Sequence, residues 1–271
     1  MIIGQQVLLS KIEQIINSYP KFSIIVGPKG SGKKEVCKYI CHKLNLPIAE
    51  YTSKIDDVRD CISLSYSQIK PICYLFDTAD DMSVGAKNCL LKITEEPPKN
   101  AYFILNLTSI DNTLETLKSR GTVLTLDNYT KDELITYRQY KGYNGNNDEL
   151  MKKICDTTGE VDILFKTDIP GFYSYVKSLF DYIHVVNTGN LFKVTQNLKL
   201  KETDNGYDPF LVFKLLRNMY IEAGKETKKY QYLEASKVTT QCLQDLNINT
   251  ISKLSTVDNW IFQVRIALRG I

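Results

Sequence analysis

A short apolar run, Phe22 to Val26, leads directly into Gly27-Pro28-Lys29-Gly30-Ser31-Gly32-Lys33, and this junction leaves few folds open to the chain. The run has the length and content of a buried parallel strand, and the glycines mark a turn. Beyond the turn, Val36, Tyr39, Ile40 and Leu44 line one apolar face of a helix. Strand, glycine loop and helix in that order let successive backbone N–H groups wrap a phosphate, with the helix dipole adding to the attraction. Gly27, Gly30, Ser31 and Gly32 then supply the cradle, and Lys33 sits where a P-loop lysine reaches the β and γ phosphates.

The rhythm continues on both sides of the loop. Leu8, Ile12, Ile15 and Ile16 recur at helical spacing and Tyr19-Pro20 closes that helix. Ile72 to Phe76, Tyr102 to Leu107 and Val123 to Leu126 read as further strands, and Val84 to Ile93 as a helix stopped by Pro97-Pro98. Repeated strand–helix alternation predicts a doubly wound parallel sheet over the first half of the chain. The pattern changes near Tyr129. Thr130 and Glu133 form a capping box that opens a helix. Gly142 to Asn147 reads as a loop, a second break falls at Lys199 to Asp208, and Phe210 to Ile271 reads as helical throughout, with Leu211, Leu215, Leu216 and Met219 at helical spacing. The expected organisation is α/β plus all-α: a P-loop α/β domain over residues 1–128, a small helical domain over 129–190 and a helical C-terminal domain over 191–271.

Composition excludes several classes. Charged residues are 24% of the 271, an ordinary share for a globular protein and too many apolar partners accompany them for long disorder. No apolar run reaches the roughly 18 residues that span a bilayer, so no membrane association is expected. Met1 to Gln6 lacks the basic and apolar regions of a secretory leader. Seven cysteines, an odd number without a disulfide-framework spacing, fit a reducing cytoplasm, that of a host cell if the chain is phage-encoded. Net charge of +3 permits nucleic-acid contact without requiring it.

Two positions depart from a hydrolytic phosphate site. After Lys33 a working loop carries Ser or Thr to hold Mg²⁺, whereas this chain has Lys34. An ammonium has donors only and cannot ligate a metal. Lys34 either places its charge near phosphate or points into solvent. The second position follows Ile72-Cys73-Tyr74-Leu75-Phe76-Asp77, an apolar strand ending in the aspartate of a Walker B motif. Thr78 stands next, where hydrolytic relatives carry a glutamate that polarises the attacking water, and its hydroxyl has no useful basicity. Asp80 and Asp81 read as a solvated turn rather than as a substitute base.

Several segments together resemble the clamp-loader branch of AAA+ proteins. Ile3-Gly4-Gln5 is similar to the box flanking the adenine pocket, and Asp56-Asp57-Val58-Arg59 to the helix opening before Walker B. The most specific block runs from Asn88-Cys89-Leu90-Leu91-Lys92 to Glu95-Glu96-Pro97-Pro98, followed by Phe103-Ile104-Leu105, by Thr108 at the sensor 1 place, and by Ser119-Arg120-Gly121, which resembles the SRC motif. The resemblance covers about residues 3 to 126 and extends more weakly to Val257-Asp258-Asn259-Trp260-Ile261-Phe262, similar to the last helix of a collar domain. Asp77-Thr78-Ala79-Asp80 follows the delta-prime style of bacterial and phage loaders. Gly121 replaces the SRC cysteine, and no sensor 2 arginine stands at Gly159-Glu160-Val161-Asp162. The zinc module of many relatives is missing. Cys37, Cys41, His42 and Cys61 offer no tight pair, and Cys37 with Cys41 fits packing on a helix face better than a metal, so no zinc is expected.

The resemblance implies an AAA+ sheet domain, a helical lid and a helical collar. It implies a delta-prime-like loader subunit that helps place a sliding clamp on primer–template DNA. Its partners would be gamma- or tau-like and delta-like subunits, the clamp, and DNA held by the assembled complex. ATP or ADP would lie against Gly27, Gly30, Ser31, Gly32, Lys33, Lys34, Asp77 and Thr108, with Mg²⁺ weak or absent. Arg120 would act in trans as an arginine finger, a planar fork on a neighbour's γ-phosphate; its plain alternative is an ordinary surface arginine. Lys87 and Lys92 would face DNA phosphates, or else form a solvated helix face. Other readings are an active gamma-type ATPase, a P-loop ATPase or kinase outside replication, and a scaffold with an empty nucleotide site.

Overall fold

The computed structural model describes residues 6–18, 20–145, 147–186, 188–191, 206–246 and 252–269. Ile3-Gly4-Gln5, Tyr19 and most of the break expected at Lys199 to Asp208 lie outside these residues. The chain divides into two compact units: residues up to Lys141 together with Asp156–Gly159, and Gly142–Cys155 together with Glu160 onward.

The first unit is built on a five-stranded parallel sheet. In chain order its elements are α1 (Gln6–Ser18), β1 (Phe22–Val26), α2 (Lys33–Lys43), β2 (Ile48–Tyr51), α3 (Ile55–Tyr66), β3 (Ile72–Phe76), α4 (Val84–Glu95), β4 (Ala101–Leu107), α5 (Glu115–Lys118), β5 (Thr122–Thr125) and α6 (Lys131–Tyr140). The strands lie in the order β2-β3-β4-β1-β5. Strand β2 was not expected from the sequence. Its residues Ile48-Ala49-Glu50-Tyr51 are only half-buried or exposed, so the edge of the sheet lacks the continuous apolar run that reveals β1, β3 and β4.

Alternation along the strands sends side chains to two cores. Phe22, Ile24 and Val26 pack with Val58 and Cys61 of α3, with Ala86, Leu90 and Ile93 of α4 and with Leu117 of α5. Ile25, Cys73, Leu75 and Ile104 face the other way, onto Ile12 and Ile15 of α1 and Val36, Cys37, Ile40 and Cys41 of α2. Both faces of the sheet are therefore covered, as parallel strands require. Helix α4 stops at Glu95, just before the proline pair, and the Thr130–Glu133 capping box closes reciprocally at the start of α6.

The second unit is helical: α7 (Asp148–Ile154), α8 (Thr158–Phe165, which begins in the first unit), α9 (Ile169–Val185), α10 (Pro209–Thr227), α11 (Tyr230–Asp245) and α12 (Lys253–Arg269). The region from Phe210 is thus not helical throughout. Lys228, at φ 56°, ends α10 in the left-handed conformation and Lys229 caps α11. Asp208 starts α10 by accepting from the N–H groups of Phe210 and Leu211, with Pro209 at the first helical position. At the centre of this unit Trp260 meets Phe213 edge-on with centroids 4.7 Å apart, and its indole N–H donates to Thr239 Oγ1 at 3.1 Å.

Candidate nucleotide site

The site assembles at the carboxyl ends of the strands, where open α/β sheets place ligands. Register decides its membership. Phe76 pairs with Leu105 and Val26 with Leu107, so the residues after β1, after β3 and at the end of β4 come side by side. The backbone N–H of Gly27 donates to Leu107 O at 3.0 Å and anchors the loop to β4.

Within the loop Gly30 and Gly32 have φ of +79° and +88°, a region that strains any residue with a Cβ. Gly32 caps α2 without a side-chain hydrogen bond. The first N–H groups of α2, which have no intrahelical acceptor, are thereby left to the loop's concave side. The Ser31 hydroxyl is fully buried and has no hydrogen-bond partner. These features fit a phosphate group. Lys33 Nζ donates to Gly27 O at 2.7 Å and Pro28 O at 3.0 Å. Burial pushes its ammonium below the ordinary lysine value, against the pull of the Asp80 and Asp77 carboxylates. Opposite, Gly30 O accepts from Gly159 N at 2.9 Å and from Thr158 Oγ1 at 3.2 Å, and Tyr129 OH donates to Ser31 O at 3.1 Å.

The Lys34 side chain is about a third exposed and leans on two carboxylates. Its ammonium lies 2.6 Å from Glu50 Oε2 on β2 and 3.7 Å from Asp77 Oδ2. The hydrogen bond to Glu50 raises its pKa. Asp77 Oδ1 accepts from Asn106 Nδ2 at 2.7 Å. Both oxygens of the Walker B carboxylate thus have partners, and an ammonium stands where a divalent ion is expected. The residues do not fit Mg²⁺.

In the turn expected at Asp80 and Asp81, Asp81 is exposed, whereas Asp80 is half-buried and engaged. Asp80 accepts from Thr108 N and Oγ1 and from Asn112 Nδ2, at 2.7 to 3.0 Å. Thr108 is therefore committed to Asp80, and the β4 residue that reaches Asp77 is Asn106. The sequence signal for Asn106 was present as a lone polar residue in an apolar strand. Glu50 carried no signal, because nothing local links it to Lys34. The Thr78 carbonyl accepts from the Ser53 hydroxyl, and Thr78 Oγ1 lies 3.1 Å from Ser53 Oγ.

The remaining candidates lie elsewhere in the fold. Arg120 forms an ion pair with Glu95 and donates to Thr116 O at 2.9 Å. On α4, Lys87 Nζ donates to Asn112 O at 2.5 Å, and Lys92 is exposed. Cys37 and Cys41 are buried with Cys73, their sulfurs within 4.8 Å of one another. His42 is exposed and Cys61 belongs to the opposite core, so neither candidate joins them. Among the described residues these three thiols are one ligand short of a structural zinc tetrahedron.

Residues 51–130 match the family model described as "DNA polymerase III, delta subunit". The chain is 28% identical over 129 residues to DNA polymerase III subunit gamma of Buchnera aphidicola (from Schizaphis graminum), covering 45% of this chain and 36% of that protein. It is 26% identical over 141 residues to DNA polymerase III subunit tau of Bacillus subtilis, covering 40% and 25%. In part of its length the chain is thus similar to DNA polymerase III delta, gamma and tau subunits. The chain spans only 36% and 25% of the lengths of these two relatives. Among solved structures, a gamma subunit-related protein of Thermotoga maritima superposes with a TM-score of 0.50 at 18% identity, covering 97% of this chain and all of that one. The RuvB Holliday junction branch migration motor of the same organism gives 0.52 at 18% identity, covering 83% and 77%. The fold is that of AAA+ proteins, with a helical C-terminal region. No helix among the described residues is long and apolar enough to cross a membrane.

Proposed function

We propose that this chain is a delta-prime-like clamp-loader subunit that does not hydrolyse ATP and acts on a neighbour's nucleotide through Arg120. The observation that carries the reading is Lys34, whose ammonium lies against Glu50 and Asp77 at the metal position. Thr78 adds the second deficit, a hydroxyl in place of the general base. Loss of the ion and the base together removes both the charge stabilisation and the water activation that phosphoryl transfer needs. The phosphate loop itself keeps its geometry, so ATP or ADP would be held by the backbone of Gly27 to Lys33, with Lys33 turning from the loop carbonyls to phosphate oxygen. A bound nucleotide then serves as a structural ligand rather than a substrate.

Arg120 supports the other half of the reading. It follows α5 at the surface, its guanidinium held by Glu95 and the Thr116 carbonyl rather than by the loop of its own chain. A neighbouring triphosphate could take over the Glu95 contact with the same forked geometry. In this reading gamma- or tau-like and delta-like subunits, the clamp and primer–template DNA are the partners. Lys87 and Lys92 on α4 offer phosphate contacts, residues 129–190 act as lid, and 191–271 act as collar. Arg120→Ala in a reconstituted loader is expected to lower ATP turnover of the assembly by about 10³-fold or more at the affected site, with the circular dichroism of the isolated chain unchanged. Unaltered turnover would remove the finger, and rapid ATP hydrolysis by the isolated wild-type chain would favour a gamma-type ATPase instead.

A further inference from the structure

We infer that Lys34 replaces the divalent cation, so that this phosphate loop takes a nucleoside di- or triphosphate without metal. The inference deepens the nucleotide-binding part of the proposed function and rests on it for the ligand, though not for the state of the cation position. Three elements converge to build that position: the first turn of α2 supplies Lys34, the edge strand β2 supplies Glu50, and the end of β3 supplies Asp77. Asn106 holds the second oxygen of Asp77 at 2.7 Å, which turns the first toward the ammonium.

Mg²⁺ demands near-ideal octahedral oxygen coordination at about 2.0–2.1 Å and is usually bound through one or two carboxylates plus phosphate oxygens and water. Glu50 and Asp77 are the two carboxylates such a site would use, and here an ammonium already bridges them. It cannot act as a ligand, and its charge repels a second cation at the same place. What it can do is donate. An ammonium has three N–H groups. Glu50 takes one of them at 2.6 Å and Asp77 is an ion-pair partner at 3.7 Å, so N–H groups are left for a phosphate oxygen, the contact that a metal would otherwise bridge. Lys34 is tied to its carboxylates through the fold, so the positive charge is resident and needs no ion from solution.

Two measurements on the full chain test this. Mn²⁺ binding without nucleotide, followed by the loss of its free-ion paramagnetic resonance signal, is expected to be undetectable in wild type. In Lys34→Ser, Glu50 and Asp77 are released as ligands and Mn²⁺ binds, while Asp77→Asn added to Lys34→Ser abolishes that binding. Calorimetric titration with ADP in Mg²⁺ or in EDTA is expected to give equal affinity, within about twofold, for wild type, and a preference for Mg²⁺ of about tenfold or more for Lys34→Ser, the reciprocal coupling of two ligands at one site. Mn²⁺ binding by wild type, identical Mn²⁺ behaviour of wild type and Lys34→Ser, or an Mg²⁺ requirement for ADP in wild type each overturns the inference. If ADP binds to neither protein under either condition, the nucleotide reading and with it the metal-free nucleotide site fail, while the Mn²⁺ comparison still decides whether Lys34 occupies the cation's place.

Discussion

Gly30 shows how much of this site depends on a missing Cβ. At φ +79° an added Cβ would lie 2.9 Å from Thr157 Oγ1 and 3.2 Å from Gly159 Cα, so backbone strain and crowding combine. Gly30→Ala is expected to lower the unfolding free energy by about 1–3 kcal/mol, read from urea denaturation. An unchanged midpoint would mean that residues 157–159 give way freely. The glycine spacing of the loop was readable from the sequence because glycine is the residue that tolerates positive φ. The partner residues Thr158 and Gly159 were not, since they lie more than a hundred positions away and carry no local mark of the contact. Lys34 teaches the same lesson from the other side: its inability to bind metal follows from its chemistry, but its occupation of the metal position required Glu50 to be brought beside it.

Strands were legible where an apolar run marked them, as at Val123 to Leu126 in the largely exposed β5. Strands β1, β3 and β4 are apolar on both faces and stand out, whereas β2 at the sheet edge does not. Helix α6 was marked by its start rather than by its face. Thr130 Oγ1 accepts from Glu133 N at 3.3 Å and Glu133 Oε2 accepts from Thr130 N at 2.8 Å. Thr130→Ala is expected to cost about 1 kcal/mol, seen as a lower urea midpoint with an unchanged slope. Glu133→Ala, which removes the returning bond and keeps the Thr130 cap, is expected to cost less. In the C-terminal region helical periodicity runs on through Lys228 and Lys229, and nothing in the apolar spacing announces the left-handed residue that separates α10 from α11. Lysine is not a residue that favours such a conformation.

The sheet unit and the helical unit have cores that depend on different residues. The chain's single tryptophan, Trp260, lies in the helical unit, packed on Phe213 and bonded to Thr239, so its fluorescence reports that unit alone. Far-ultraviolet circular dichroism reports both units. The two probes are expected to give non-coincident denaturation curves, the signature of departure from two-state unfolding; superimposable curves would show the units to be one cooperative block. Trp260→Ala is expected to destabilise the helical unit by about 3–5 kcal/mol, measured by helicity at 222 nm across a urea series, while the transition of the sheet unit stays in place.

From its own order the chain determined the strand–loop–helix phosphate cradle, the parallel sheet around it, the capping box of α6 and the loss of two chemical groups at Lys34 and Thr78. All of these are local: they depend on side-chain type, on spacing along one element, or on backbone conformations that only certain residues tolerate. Tertiary structure alone decided that Glu50 and Asp77 share Lys34, that Asn106 rather than Thr108 reaches Asp77, that Asp80 is held by Thr108 and Asn112, and that Arg120 rests on Glu95. Each of those pairs joins residues from different elements, and strand register, which no single segment encodes, sets which of them meet.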